Sequence, residues 1–63
     1  MENGLKKARL MRGFAVADLS RLSGVPRSSI EYYERGVMPS VEKALMLAWS
    51  LDMTVEEIWF PED

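Results

Sequence analysis

Between positions 25 and 36 the chain reads VPRSSIEYYERG. Wound as a helix at about 100° per residue, this segment places Arg27, Glu31, Arg35, Ser28 and Tyr32 within about 140° of one another, with Ile30, Tyr33 and Pro26 on the opposite side. A guanidinium can bond guanine through two N–H groups. A serine hydroxyl adapts to a donor or an acceptor, and a tyrosine touches a thymine methyl with its ring or hydrogen-bonds through its OH. These are side chains suited to base edges in a major groove. Glu31 is the exception among them, since it repels phosphate unless it accepts a bond from a cytosine amino group. Arg27 falls in the first turn, where the helix dipole disfavours a cation by a few tenths of a kcal/mol. An anion outside the helix would offset that cost. On this helix alone an ordinary solvated face is the simpler interpretation, and the rest of the chain must decide.

Other chemistries are poorly supplied. The 63 residues contain neither His nor Cys, which removes the usual acid–base, nucleophilic and zinc-binding partners, disulfides and thiol redox chemistry. The carboxylates are scattered along helical faces, and no cofactor motif is present, so an enzyme is not expected and neither a cofactor nor a metal is called for. No apolar run is long enough to cross a bilayer, and residues 1–15 have no signal-peptide core. The absence of Cys fits a reducing cytoplasm.

Net charge is −2, but it is unevenly spread. Up to position 35, Lys6, Lys7, Arg9, Arg12, Arg21, Arg27 and Arg35 face only Glu2, Asp18, Glu31 and Glu34, a net of +3. From position 36 on, Lys43 stands alone against Glu42, Asp52, Glu56, Glu57, Glu62 and Asp63, a net of −5. Because salt screens charge over about 10 Å, a basic half can meet phosphates while an acidic half faces elsewhere. The acidic total predicts weak nonspecific binding to nucleic acid. Lys6 and Lys7 are solvated first-turn residues, with phosphate contact a secondary role.

The elements that must position these residues are short helices punctuated by Gly and Pro, forming one domain over residues 1–63. The first spans about residues 3–12, with Leu5, Ala8 and Met11 on one face and Gly13 as its stop. The second, residues 16–23, turns Leu19 and Leu22 inward and ends at Gly24, a residue suited to the left-handed position after a helix. The third runs over about residues 26–35, with Pro26 tolerated in its first turn and Gly36 closing it. Ser40 caps a fourth helix over residues 41–51, whose inward stripe is Val41, Ala44, Leu45, Ala48 and Leu51. Thr54 and Glu57 form a capping box that opens a short fifth helix ending before Pro61, with Trp59 in the core. No segment alternates with period two, so the fold class is a compact all-α domain of five helices.

The succession resembles the Cro/repressor (XRE) family of helix-turn-helix proteins. The likeness is carried by Leu5, Ala8, Arg9, Gly13 and Phe14 in the first helix, and by Asp18-Leu19-Ser20 and Ser23-Gly24-Val25 at the second helix and turn. It continues through Val25-Pro26-Arg27-Ser28-Ser29-Ile30 and Tyr33-Glu34-Arg35-Gly36, then Pro39-Ser40-Val41, and Asp52 with residues 54–59. The resemblance implies a lambda-repressor-like fold with the helix-turn-helix at the second and third helices; the function expected is a sequence-specific regulator of transcription, a repressor that binds a near-palindromic operator in double-stranded DNA as a homodimer. It implies an ion pair between Arg9 and Glu34, base reading by Arg27, Ser28 and Tyr32, and placement of Arg35 and Ser40 near phosphates.

The chain departs from the family pattern where Ala15-Val16 replaces the usual Ser or Thr followed by Gln, where Val37 and Met38 replace a basic residue, and where Pro26 replaces a Ser or Thr. One cap and one positioning contact are thereby lost and the loop lacks a basic residue, so binding is expected to be weaker than typical or more dependent on dimerisation. A second stripe of Met46, Trp49 and Met53, with Phe60 nearby, is a candidate homodimer surface, in competition with burial beneath the fifth helix. The alternative function is an antitoxin or protein-interaction module of the same fold, working through this stripe and the acidic C-terminal half, with DNA binding weakened or lost.

Overall fold

A computed structural model of the chain describes residues 4–61. The expected start of the first helix at Asn3 and the charges at Glu2, Glu62 and Asp63 lie outside the described residues. Five helices follow in order: α1 (Leu5–Met11), α2 (Val16–Ser23), α3 (Arg27–Glu34), α4 (Val41–Ser50) and α5 (Val55–Trp59). Among the described residues there is no strand. α2 packs against α3 and α4, α1 lies against α3 and α5, and α4 lies against α5.

Leu5, Leu19, Val25, Ile30, Leu47, Leu51 and Ile58 are fully enclosed, with Ala8, Ala44, Ala48 and Trp59 completing the core. Burying a large apolar side chain is worth roughly 1.5–3 kcal/mol before entropy is charged against it. Seven such residues in a small domain leave a narrow margin, so single polar links matter. One link closes the ends of the fold: the Gly4 N–H donates to Ile58 O at 2.8 Å. A Cβ at Gly4 would stand 3.0 Å from that oxygen, so the close approach favours glycine there.

Predicted and observed helices agree to within a residue or two, and the Ser40 cap and the Thr54/Glu57 capping box are both formed. Five inward assignments require correction. Met11 is 75% exposed, because Leu5, Ala8 and Arg9 take the inward side of α1. Leu22 is half exposed because Ser23 turns inward to serve the following turn. Val41 and Leu45 are exposed, and Leu47, absent from the predicted stripe, is fully buried. On α4 the true inward set is Ala44, Leu47, Ala48 and Leu51, an i, i+3, i+4, i+7 pattern. The helix is apolar on so many sides that periodicity alone chose the wrong phase. Pro26 is the exposed residue before α3 rather than part of its buried face. Trp59 is buried as expected.

Candidate nucleic-acid interface

The link between α2 and α3 is three residues held by two serines. Gly24 adopts φ 81° and donates its N–H to Ser20 O at 2.8 Å. The Ser20 hydroxyl donates to Val25 O at 2.6 Å, and the Val25 N–H donates to the Ser23 Oγ at 3.1 Å. Val25 itself is fully buried. A left-handed glycine, two side-chain bonds and an apolar anchor fix the angle at which α3 leaves α2. Pro26 then enters with an extended ψ of 146° and no N–H to satisfy.

The far end of α3 is held to α1. Arg9 Nε donates to Glu34 Oε2 at 2.7 Å, and its NH2 donates to Oε1 at 3.2 Å. Its NH1 donates to the Phe14 carbonyl at 2.8 Å. Both side chains are about nine-tenths enclosed. The hydrogen bond to Glu34 raises the Arg9 pKa above its ordinary value, against the opposing effect of desolvation. With Ile30 buried between the two anchors, α3 has its inward side and both ends fixed.

Its outward side is left to solvent. Arg27, Ser28, Glu31 and Arg35 are exposed, and Tyr32 is half exposed. The Arg35 guanidinium lies 5.5 Å from the centroid of the Tyr32 ring, within cation–π range. Arg27 and Glu31, although one turn apart, form no ion pair. α3 has no side-chain cap at its N-terminus. Lys6 is exposed on α1. The Ser40 Oγ accepts from the Lys43 N–H at 3.3 Å, so its oxygen serves α4 first.

At the start of α2, Ala15 supplies no side-chain cap, and only half of a capping box remains. The Asp18 carboxylate accepts from the Ala15 N–H at 2.8 Å and also pairs with Arg21 at 3.0 Å. The Ala15 N–H, then Arg21, hold the Asp18 carboxyl below its ordinary pKa. Val37 and Met38, which stand in place of a basic loop residue, are exposed.

The four residues considered for an interface separate into two kinds. Met46 and Met53 are half buried and pack against the core, whereas Trp49 is 80% exposed and Phe60 is also exposed. Trp49 shares a shallow groove with Leu22, Ser23, Leu45 and Met46. The apolar surface is thus centred between α2 and α4, and Leu22 and Leu45 join it because they are not in the core. Arg12 was not singled out from the sequence. Its Nε donates to Leu51 O at 2.9 Å, and a cation there satisfies the carbonyl end of α4. The two residues are 39 positions apart, and nothing local in the sequence signals the contact.

Comparison with known proteins agrees with this geometry. Residues 5–58 match the sequence profile of a family described as helix-turn-helix. The chain is also 45% identical over 60 residues to a protein of Aeropyrum pernix (strain K1), assigned by its name to the HTH-type transcriptional regulatory proteins. That match takes in 94% of this chain and 17% of the relative, so the chain spans about one sixth of the relative's length. With the turn, the ion pair and the outward face of α3 all in place over the matched residues, the chain belongs to the XRE-type helix-turn-helix family.

Proposed function

We propose that the protein is a sequence-specific DNA-binding regulator of transcription, acting in the cytoplasm as a repressor and binding a near-palindromic operator as a homodimer. α2 and α3 dock at the major groove, where Arg27, Ser28 and Tyr32 read base edges. Arg35, Lys6 and the start of α4 at Ser40 lie toward the backbone phosphates. The observation that carries this is the contrast across α3. Its inner side and both ends are fixed by Val25, Ile30 and the Arg9–Glu34 pair, while Arg27 and Ser28 stand exposed and without internal partners among the described residues.

Selection from a random double-stranded DNA pool at moderate salt tests the proposal, with Arg27→Ala in parallel. Recovery of a two-fold symmetric motif by the wild type supports a dimeric reader. Arg27→Ala should weaken binding to that motif by about 1–3 kcal/mol and relax preference at one base pair. Unchanged affinity would remove Arg27 from the reading face.

A second reading is favoured by the exposure of Trp49 beside Leu22 and Leu45. In it the chain is an antitoxin or another protein-interaction module of this fold, and the apolar groove with neighbouring acidic residues meets a protein. An absence of any enriched DNA, with a stable monomer in solution, would turn the assignment to this reading.

A further inference from the structure

Glu31 is the side chain on α3 that the DNA-reading proposal leaves without a role. Arg27 and Tyr32 mark the edges of the outward face, about 140° apart, and Glu31, Arg35 and Ser28 lie between them. Arg35 stands just past the end of the helix, with its guanidinium over the Tyr32 ring. Glu31 and Ser28 are therefore the residues of the helix proper that lie inside this face, and of the two only Glu31 is charged. It is exposed, and among the described residues it has no hydrogen-bond or ion-pair partner, although Arg27 and Arg35 are each four positions away. Its carboxylate stands within the surface assigned to the groove.

An ionised carboxylate only accepts hydrogen bonds. In the major groove guanine presents two acceptors, and thymine presents an acceptor and a methyl group. Adenine pairs its N6 donor with an adjacent N7 acceptor, which repels the second carboxylate oxygen. Cytosine alone presents a donor, N4, with no acceptor beside it on the same base. Arg27 lies one turn, about 6 Å, before Glu31 along the helix axis, which corresponds to nearly two steps of about 3.4 Å along the DNA. The geometry points to Glu31 as a specificity-determining residue that accepts from a cytosine N4 amino group one or two base pairs from the pair read by Arg27. This rests on the DNA-reading proposal above.

The selectivity works chiefly by rejection. Opposite guanine or thymine the carboxylate would be desolvated against an acceptor, and beside phosphates it lowers affinity for DNA of any sequence. Glu31 thus trades overall affinity for discrimination, in keeping with the acidic balance of the chain.

The test repeats the pool selection with wild type, Glu31→Gln and Glu31→Ala, then measures competition between the selected site and sites changed at single pairs. The wild type should require cytosine at one position of each half-site, with roughly 5- to 150-fold loss on changing it. Glutamine bonds adenine through N6 and N7, so Glu31→Gln should move that one position to adenine and leave the others. Glu31→Ala should lose preference there while binding unrelated DNA more tightly than the wild type. All three proteins should melt alike, since Glu31 is exposed. A wild-type motif that survives Glu31→Gln unchanged, or one that shifts to a base other than adenine, overturns the cytosine assignment and leaves the DNA-reading proposal standing. No motif from the wild type overturns both.

Discussion

Arg9 does three jobs with one planar group. Two N–H groups meet Glu34 and a third meets the Phe14 carbonyl, so α1, the following turn and the end of α3 converge on a single guanidinium. Lysine has the charge but not the fork. Deleting one member of a deeply buried pair costs about 3–5 kcal/mol, because the other is stranded. This pair sits near the rim, with each side chain about one-tenth exposed, which reduces the penalty. Arg9→Ala should therefore cost roughly 2–3 kcal/mol, lowering the melting temperature of a domain this size by about 10–20 °C. Arg9→Lys should fall between. A calorimetric melting point for Arg9→Ala equal to that of the wild type would contradict a stabilising role. Arg27 is the opposite case, an exposed arginine without a partner among the described residues, and its replacement should leave the melting temperature unchanged while, on the proposed function, altering DNA binding.

At the scale of elements, the helix ends are where sequence and structure agree best, because caps are local. Ser40, Thr54 with Glu57, and Gly24 mark boundaries within a turn of themselves. The faces of the helices were less legible. α4 could not be phased, since Val41, Leu45, Met46 and Trp49 are as apolar as Ala44, Leu47, Ala48 and Leu51, and only packing against α2 and α5 distinguishes them. The outward face of α3 was legible because one of its sides is polar, and the Arg9–Glu34 pair because the resemblance supplied a partner 25 positions away. Arg12 on the end of α4 had no such guide. Caps also give two predictions. Ala15 already has the extended backbone of a capping residue, with φ −75° and ψ 165°, but its methyl side chain offers no oxygen, and the Asp18 N–H is met only by the Ala15 carbonyl, at 3.0 Å. Ala15→Ser should stabilise the protein by about 0.5–1 kcal/mol, read as a rise of a few degrees in melting temperature. Asp18 and Glu57 both have depressed pKa values in the fold, the first through the Ala15 N–H and Arg21, the second through the Thr54 N–H and hydroxyl. A depressed carboxylate stabilises the folded state above its unfolded pKa, and that contribution is lost as pH falls through the folded value. The melting temperature should thus decline below about pH 4.5. In a double variant carrying Asp18→Asn and Glu57→Gln that acid decline should be shallower, and an identical decline would refute the contribution of these caps.

For the whole molecule, size and charge set the terms of binding. The longest dimension is 29 Å, shorter than the roughly 34 Å between half-sites one DNA turn apart. A single protomer presents one α3, so under the proposed function it would read one half-site, and a two-fold symmetric operator would require a second copy. α3 packs on α1 and α2, while α5, which carries Glu56 and Glu57, packs on α1 and α4. The groove of Leu22, Leu45 and Trp49 between α2 and α4 is the apolar surface offered to a second copy in the proposed dimer. A standard interface buries about 800 Å² per partner, close to a fifth of the 4366 Å² surface. Three exposed apolar side chains supply only part of that area, so assembly should depend on concentration and be reinforced by DNA. Trp49, 80% exposed, offers the largest apolar area and makes the sharpest probe. Trp49→Asp should leave the melting temperature close to that of the wild type, because it removes no core contact, yet shift the sedimentation profile toward monomer at every concentration. Operator affinity should fall with it, while contacts within each half-site remain. Wild-type protein that sediments as a monomer at the highest attainable concentration, both free and on operator DNA, would rule the dimer out.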